Sequence, residues 1–542
     1  MVEGARAFAA ETLQAVNETL NALRPGRAPM AKRGVLPLTA ASMALPGKAG
    51  LLLQRPALII AVFALVGVIF LAMAVTTGRP SFPPGGNQVY PGLDCDPACN
   101  RPAGTGPRPA NEVTIAINPT DDRNIVAAAN DYGTPNSDAW VGFYTTHDGG
   151  KSWNRSLVPG YRPSASPFPL PCGGGLLPGQ GICGFEGAGD PVLAVDSEGN
   201  FYLAGIAFKR SQITVGQTSA IFVAKSTDGG DTFPDVTVLA TAISKVSFHD
   251  KEWIAVDPVG GNVYVTWTLF NLFAISQILE SHSTNGGQSW TTPKVISETG
   301  VRSLSDDTQG SQVEVDNNGT VHVAWIDYTA PEAMKYSSSR DGGSSYSAPR
   351  AIAPVTPIAS PQGNTTYRTP TMPDMAIDLT NSTYNGSIYI WWPDESNGDA
   401  DIFQVFSRDG GATWSNVSRV NNDEQGNGKS QFFPAVSVAG NGWVVGEWYD
   451  RRLDPNNKLL SVFVGISMDG GQTYDFQFNW TDAMLDGDKS AGASGVGFIG
   501  DYLGIASSDW YAIGVWCDMR NFDAGNGTDI YAGKLLLSPP PS

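Results

Sequence analysis

The stretch "SRDGGATW", Ser407–Trp414, decides the fold because close variants of it recur along the chain. Each copy has Ser or Thr, any residue, Asp or Asn, two glycines, any residue, Ser or Thr, and an aromatic residue. Six copies occupy residues 146–153, 226–233, 283–290, 339–346, 407–414 and 467–474. The Asp or Asn at the centre can accept backbone N–H groups across a turn, the glycines allow positive φ, and the aromatic ring can pack between sheets.

This repeated motif is therefore predicted to be structural. Catalysis needs a few unlike groups that converge on one point, whereas six near-identical side chains spread around a ring cannot converge. The residues predicted to hold these turns are Asp148, Asp228, Asn285, Asp341, Asp409 and Asp469.

Short apolar strands recur together with the motif. Seven first strands end at Asn118, Asp196, Asp257, Asp316, Asp378, Ala439 and Ser507, and the clearest steps between them, from Asp196 to Asp378, are 61, 59 and 62 residues. A unit of that length suits a sheet of four short strands, so residues 111–537 are predicted to form an all-β propeller of seven blades. The seventh unit ends after its third strand, and we expect residues around 88–90 to supply the strand that closes the ring.

The motif resembles the Asp box, or BNR repeat, of sialidases and related propellers, over essentially all of residues 111–535. The resemblance implies an Asp-box β-propeller, with the six blades of a sialidase as the alternative count. It also implies glycan recognition and exo-α-sialidase-type hydrolysis. Two features depart from sialidases: the Phe-Arg-Ile-Pro segment that opens their propeller is absent, and seven units are visible.

Antiparallel strand order puts the Asp boxes at one end of each sheet. Residues before each first strand and after each second strand lie at the other end, and they are unusually polar. In sialidases three arginines clamp a carboxylate, a Tyr–Glu pair supplies the nucleophile and an Asp is the acid/base. The resemblance therefore implies Tyr502 and Glu447 as the pair, with Tyr449, Tyr328 and Glu252 as alternatives, and Asp190 or Asp250 as the acid.

The predicted substrate-binding residues lie at the same end of the sheets. They are Arg368, Arg451, Arg452 and Arg520, together with the carboxylates Asp450, Asp501 and Asp518. Salt bridges between blades, together with hydrogen bonds in the loops, are an equally open interpretation of "WYDRR" and "WCDMR". A non-catalytic surface module that binds glycans, cell-surface polymer or another protein is the alternative function.

Two acidic stretches favour a structural Ca²⁺ ion, because clustered carboxylate oxygens suit a hard cation. The candidate ligands are Asp394, Asp399, Asp401, Asp518, Asp523 and Asp529.

Residues 57–75 are 19 uncharged apolar residues, enough to cross a bilayer as one helix. Seven Lys or Arg precede them and only Arg79 follows closely, so residues 1–56, with a short helix, are predicted to stay cytoplasmic. Residues 76–110 are rich in Pro and Gly and are predicted to be a stalk that carries an extracytoplasmic propeller at the cell membrane. A cleaved signal peptide is the rival interpretation.

Charge and cysteine content agree with an exported protein. The net charge is −18, and because residues 1–80 are basic, the rest of the chain is strongly acidic and is not expected to bind nucleic acid. Five cysteines predict two local disulfides, Cys95 with Cys99 and Cys172 with Cys183, and a free buried Cys517.

Overall fold

The computed structural model describes residues 92–94, 99–104, 109–133, 139–161, 181–209, 219–242, 247–271, 275–298, 307–490, 497–522 and 527–537. Apart from a 3-10 turn at Gly487–Lys489, the regular structure of these residues is β-strand. No helix among them is long and apolar enough to span a membrane. The predicted transmembrane helix, the N-terminal helix and Asp523 lie outside the described residues.

The described strands form seven sheets, each antiparallel and each built mainly from consecutive strands, so the all-β propeller and its seven blades are confirmed. The first three blades are β3 (Ala110–Ile117), β4 (Ile125–Asp131), β5 (Trp140–Thr146) and β6 (Asn154–Leu157); β7 (Gly187–Val195), β8 (Phe201–Phe208), β9 (Ser219–Ser226) and β10 (Asp235–Ala242); and β11 (Ser247–Val256), β12 (Val263–Asn271), β13 (Ile275–Ser283) and β14 (Lys294–Val295).

The next three blades repeat the pattern. They are β15 (Thr308–Val315), β16 (Val321–Asp327), β17 (Ala333–Ser339) and β18 (Arg350–Pro354); β19 (Asp374–Ile377), β20 (Ile388–Asp394), β21 (Asp401–Ser407) and β22 (Ser418–Arg419); and β23 (Gln431–Val438), β24 (Val444–Asp450), β25 (Ser461–Ser467) and β26 (Phe476–Asn479).

The seventh blade contains strands from both ends of the propeller. Its C-terminal strands are β27 (Gly504–Ser507), β28 (Tyr511–Asp518) and β29 (Asp529–Leu536), and β29 also pairs with β1 (Gly92–Leu93) and β2 (Asn100–Gly104). The closing strands therefore come after residues 88–90 and lie within the segment 76–110 that was predicted to be a stalk. The sequence of β2, "NRPAG", does not alternate apolar and polar residues. β2 is an edge strand that contains Pro102, and such a strand contributes little to the hydrophobic core.

The hydrophobic core lies between neighbouring sheets. Second strands carry apolar residues on both faces, because each sheet packs on a neighbour on each side. Trp391 and Trp448 of adjacent blades have ring centroids 6.2 Å apart, and Trp480 and Trp516 are 6.3 Å apart. The four rings are fully buried.

The Asp boxes are turns, as predicted. Asp409 accepts the Ser407 hydroxyl at 2.8 Å, the Thr413 hydroxyl at 2.6 Å and the Thr413 backbone N–H at 2.8 Å. These hydrogen bonds, led by the one from the Thr413 hydroxyl, lower the pKa of Asp409 to about 2. Gly410 and Gly411 have φ of 63° and 80°. The structural role of the repeat is therefore to hold a tight turn.

The box aromatics pack on the preceding blade. Phe233 meets Phe143 edge-to-face at 4.9 Å, and Tyr474 meets Trp391 at 5.2 Å. Each ring therefore acts as a wedge that joins two sheets.

Cys517 is free and buried, as predicted. Cys99 and Cys183 are each disulfide-bonded, and the partners predicted for them, Cys95 and Cys172, lie outside the described residues.

Candidate functional site

A β-bulge recurs in five of the described innermost strands, at the end opposite the Asp boxes. The two ends are fixed by register: Asp131 pairs with Ala110, whereas Ile125 pairs with Thr146, where the first box begins. One residue in each bulge has left-handed backbone geometry, which is strained for a residue with a side chain. These residues are Glu112, Asp190, Lys251, Gly310 and Phe433, with φ of 54°, 56°, 56°, 66° and 55°.

The Lys251 side chain lies where four blades meet. Its ammonium is 2.5 Å from Asp501 Oδ2, 3.3 Å from Asp190 Oδ2, 3.7 Å from Glu112 Oε1 and 3.9 Å from Asp250 Oδ1. These carboxyls belong to the segment before β27 and to the first, second and third blades, which meet only at the axis. The Lys251 side chain is 6% exposed. We call Glu112, Asp190, Asp250, Lys251, Glu252, Arg368 and Asp501 the axial cluster.

Arg368 enters the axial cluster from the segment between the fourth and fifth blades. Its Nε donates to Asp501 Oδ1 at 2.6 Å, and a second guanidinium nitrogen contacts Asp501 Oδ2. The guanidinium also stacks on the Phe498 ring at 4.7 Å. At 24% side-chain exposure, Arg368 is the most accessible charged group in these ion pairs. The structure thus brings together Arg368, Asp501, Asp190 and Asp250, which the sequence had put on one face.

Asn130 holds two members of the cluster in place. Its side-chain oxygen accepts the backbone N–H of Asp190 at 2.6 Å, and its amide nitrogen contacts Glu112 and the Asp190 carboxylate. A buried amide that contacts two neighbouring carboxyls fixes their separation.

The carboxyls of the cluster have very different protonation behaviour. Burial alone would raise the pKa of Asp190, but the Lys251 ammonium and hydrogen bonds from neighbouring carboxyls hold it below its usual value. Burial raises the pKa of Asp250 to about 6, and the nearby Asp190 charge adds to the increase. Burial and the charge of Asp190 also raise the pKa values of Glu112 and Glu252 well above normal. Ionised and protonated carboxyls are therefore neighbours here.

Tyr502 borders the cluster as a neutral phenol. Its hydroxyl donates to the Pro191 carbonyl at 3.1 Å, and its ring meets Trp253 edge-to-face at 5.8 Å. Burial, followed by the charges of Glu112 and Asp190, raises its pKa well above normal. The geometry therefore makes Tyr502 a hydrogen-bond donor rather than a phenoxide.

Sequence reasoning left Glu112, Lys251 and Asn130 outside the predicted set of site residues, and it gave Glu252 only as an alternative to Glu447. Glu112, Asp190 and Lys251 occupy the same bulge position in three consecutive blades. Alignment of the repeats at this position, rather than at the Asp boxes, would have identified all three.

The other three predicted arginines, Arg451, Arg452 and Arg520, contact acceptors outside the axial cluster. Arg452 Nε donates to Asp450 at 2.8 Å, and Arg520 contacts Asp518 at 2.8 Å and Asp482 at 2.6 Å. The contact between Arg520 and Asp482 joins two blades, as the salt-bridge interpretation expects, whereas the other two contacts lie within single loops.

Arg451 and Glu447 are fully buried elsewhere in the fold. The Arg451 guanidinium donates to the Tyr367 hydroxyl at 2.5 Å and stacks on Phe432. Glu447 lies between the sixth and seventh blades, where a Cβ added to Gly514 would be 2.0 Å from its Oε2. Burial raises the pKa of Glu447 well above normal.

The proposed calcium ligands are engaged by protein donors. Asp394 accepts backbone N–H groups from Thr356 and Ser396, both at 2.8 Å. Asp401 accepts from Asn421 at 2.6 Å and from Arg419 at 3.1 Å. Of the other ligands, Asp399 accepts from Gly428, Asp518 from Trp516 and Asp529 from Asn521. Within the described ranges, no group of three or more His, Cys, Asp or Glu side chains is arranged to hold a metal ion. Calcium binding stays a prediction.

Comparisons with known proteins concern the fold. No family model matches the chain, and no curated protein matches it. Among solved structures, the Hadza microbial sialidase Hz136 is 13% identical with a TM-score of 0.40, covering 76% of this chain and 73% of that chain. The NanB sialidase from Streptococcus pneumoniae is 12% identical with a TM-score of 0.39, covering 81% and 70%. An α-L-arabinofuranosidase from Fusarium graminearum is 11% identical with a TM-score of 0.42, covering 68% and 98%.

At these sequence identities and TM-scores, the similarity supports no conclusion about activity. The assignment rests on the chain itself, with six Asp boxes in phase and seven sheets around one axis. The chain is an Asp-box β-propeller similar to those of sialidases.

Proposed function

We propose that the propeller recognises glycans at the axial cluster and hydrolyses a glycosidic bond there. The observation that carries this proposal is the contrast between two neighbouring carboxyls. Asp190 has a lowered pKa, whereas the pKa of Asp250 is raised to about 6. Glycoside hydrolysis uses one protonated and one ionised carboxyl that flank the scissile bond, and an environment that separates two pKa values assigns those roles.

In this mechanism Asp250 gives its proton to the leaving glycosidic oxygen as the bond to the anomeric carbon breaks. The ionised Asp190 stabilises the positive charge that develops on the sugar. Water then adds its hydroxyl to the anomeric carbon, and its second proton restores Asp250. Lys251, 3.3 Å from Asp190, keeps that carboxylate ionised throughout.

The charge balance favours neutral sugars over sialosides. Five carboxyls face two cations in the cluster, and Arg368 is already held by Asp501 through two contacts. A substrate carboxylate would have to displace Asp501 from a charge-assisted pair, which is among the stronger hydrogen-bonded arrangements. The neutral Tyr502 phenol likewise gives no support to a tyrosine nucleophile of the sialidase kind.

A non-catalytic glycan-binding module is the second candidate. It is favoured by the burial of the carboxyls, since Asp190, Asp250 and Asp501 are at most 4% exposed. In that case sugars would contact the more accessible rim formed by Trp253, Tyr502 and Arg368.

We infer the location from the sequence. Residues 57–75 anchor the chain in the cell membrane, with residues 1–56 cytoplasmic and the propeller outside. Proteolysis of intact cells tests this: the propeller is cleaved while an N-terminal tag is protected. Protection of both, or a propeller found free in the medium without the tag before any protease is added, would contradict the anchored arrangement.

The functional test uses the full-length protein in a detergent that has no sugar headgroup. Fluorogenic glycosides of neutral sugars and of sialic acid are assayed, and a glycan array is probed in parallel. We expect turnover of at least one neutral glycoside and none of the sialosides. Array binding with no turnover of any glycoside would establish the binding module instead, and neither binding nor turnover would reject glycans altogether.

A further inference from the structure

Seven Asn-x-Ser/Thr triplets lie in the described part of the chain. This triplet is the acceptor sequence for N-linked glycosylation, which attaches a bulky polar oligosaccharide to the asparagine side chain. Their asparagines are Asn154, Asn318, Asn364, Asn381, Asn385 and Asn416, which are exposed, and Asn479, which is half-buried. Six other described asparagines are at most 8% exposed, namely Asn100, Asn111, Asn118, Asn124, Asn130 and Asn421. None of the triplet asparagines is buried in this way.

Three of the exposed triplets lie at the Asp-box end of two neighbouring blades, the fourth and the fifth. Asn318 is in the turn between β15 and β16, and Asn381 is in the matching turn between β19 and β20. Asn416 lies two residues after the fifth Asp box. The Asn317 side chain donates to the Leu379 carbonyl at 3.0 Å, so the two turns contact each other. We call Asn318, Asn381 and Asn416 the sequon patch.

Aspartate side chains fix the backbone of the two turns. Asp316 Oδ1 accepts the backbone N–H groups of Asn318 and Thr320, both at 2.9 Å. Asp378 Oδ1 accepts the backbone N–H of Thr380 at 2.8 Å and its hydroxyl at 2.6 Å. The backbone is thus held from inside each turn, while the asparagine side chains of the patch are exposed to solvent.

Two other triplets are less suitable acceptors. The Asn385 amide donates to the Thr380 carbonyl, so its nitrogen is already engaged. Asn479 Oδ1 accepts the Thr481 hydroxyl at 2.9 Å and the Thr481 backbone N–H at 3.1 Å, and Trp480 between them is fully buried. A glycan on Asn479 would have to disrupt these contacts, so we expect Asn479 to stay unmodified.

We propose that Asn318, Asn381 and Asn416 carry N-linked glycans. The donor is a lipid-linked oligosaccharide, and a transferase of the cell catalyses the step. The asparagine Nδ2 bonds to the anomeric carbon of the first sugar and releases a proton. The bond from that carbon to the lipid phosphate breaks, and its electron pair leaves with the phosphate. The hydroxyls that complete the three triplets are those of Thr320, Thr383 and Ser418.

Glycans at the sequon patch would leave the axial cluster accessible, because the patch lies at the opposite end of the sheets. The proposal rests on the proposed export of the propeller, since the lipid-linked donor is used outside the cytoplasm. It does not depend on hydrolysis at the axial cluster, and it stands if that cluster has no activity.

The test is glycopeptide mass spectrometry on the full-length protein, isolated from the membranes of the cells that make it. We expect a glycan on each asparagine of the sequon patch. Thr320→Ala removes the hydroxyl of one triplet and should abolish modification of Asn318. Thr320→Ser keeps a hydroxyl and should retain it. Continued modification of Asn381 in both variants shows that the propeller is still exported.

Two asparagines of the same chain serve as internal controls. Asn441 is exposed in the matching turn of the sixth blade, but Trp443 stands where the triplet needs a hydroxyl, so it should be bare. Asn17 begins a complete triplet with Thr19, on the cytoplasmic side of the proposed anchor, and it should be bare as well.

The outcomes separate the modification from the proposed location. A bare sequon patch on a propeller that protease cleaves from intact cells rejects the glycans and leaves the location standing. A bare patch on a protected propeller, or a glycan on Asn17, rejects both. A glycan that persists on Asn318 in Thr320→Ala would also contradict the proposal, because the modification would then not depend on the triplet.

Discussion

The side-chain oxygen of Asn130 accepts the backbone N–H of Asp190 at 2.6 Å, although the two residues lie in different blades. Asp190 has φ of 56°, so this hydrogen bond holds a strained residue in the orientation that turns its carboxylate toward Lys251. The bulge and the bracing amide together create the axial cluster.

Replacement of Asn130 by Ala should destabilise the fold by about 1–3 kcal/mol, because it leaves the buried Asp190 N–H without its acceptor. Urea unfolding measures the change. Asn317→Ala, which removes an exposed amide bonded to the Leu379 carbonyl, is the matched control and should cost about 0.5 kcal/mol. Equal effects of the two variants would mean that Asn130 has no bracing role.

Lys251→Met should cost about 3–5 kcal/mol at neutral pH, because it leaves buried carboxylates without their cation. Loss of the cation raises the folded-state pKa values of Asp190 and Asp501. Stability is then lost as pH rises from the unfolded pKa toward those raised values. Thermal unfolding should therefore show the variant recovering as pH is lowered from 7 to 5.

Lys458→Met is the control for that experiment. Lys458 is 42% exposed and pairs with Asp488 at 3.2 Å, so its loss should cost less than about 1 kcal/mol. A Lys251→Met protein as stable as wild type at pH 7 would show that the ammonium does not compensate the cluster.

Glu314 on β15 should make the propeller less stable in alkali. Burial raises its pKa to about 8, with a smaller contribution from Asp374, against an ordinary value of 4.5. The unfolded chain releases this proton near 4.5 and the folded chain near 8. Stability from this group therefore falls by about 1.4 kcal/mol per pH unit between those values.

Glu314→Gln should remove that part of the pH dependence, so its advantage over wild type grows from pH 5 to pH 8 and then levels off. Urea unfolding at several pH values measures this. Glu424→Gln, at an exposed position, is the matched control. A constant difference between Glu314→Gln and wild type across this range would mean that Glu314 is not protonated in the folded protein.

The closing strands should be needed for a stable ring. Without residues 92–104, β29 exposes an unpaired edge, and Asn100 no longer donates to the Trp480 carbonyl at 2.9 Å. A chain that begins at residue 105 should therefore unfold at least about 5 °C below one that begins at residue 92. Equal midpoints in a thermal unfolding scan would show that the blade closes without these strands.

The fold could be predicted from the sequence because the Asp box repeats six times in phase with the strands. The closing strands could not, since β2 pairs at an edge and carries no hydrophobic pattern. The face that carries the axial cluster was also predictable, because strand order alone puts Asp190, Asp250 and Asp501 opposite the boxes.

Only some residues of the axial cluster could be predicted from the sequence. Arg452 and Arg520 each stand two positions after an aspartate, and each forms a hydrogen bond with that aspartate. Glu112 and Lys251 reach the axis through left-handed bulges, which residue preferences do not reveal because such backbone is strained.

A pH–rate profile on the best neutral glycoside tests whether the axial carboxyls hydrolyse glycosides, as we propose. With Asp250 as the acid, kcat/KM should fall as pH rises through about 6, following its raised pKa. Asp250→Asn should lose at least about 100-fold in kcat/KM, while Asp475→Asn keeps the wild-type rate. No turnover at any pH, or an Asp250→Asn protein with the wild-type profile, would contradict the account.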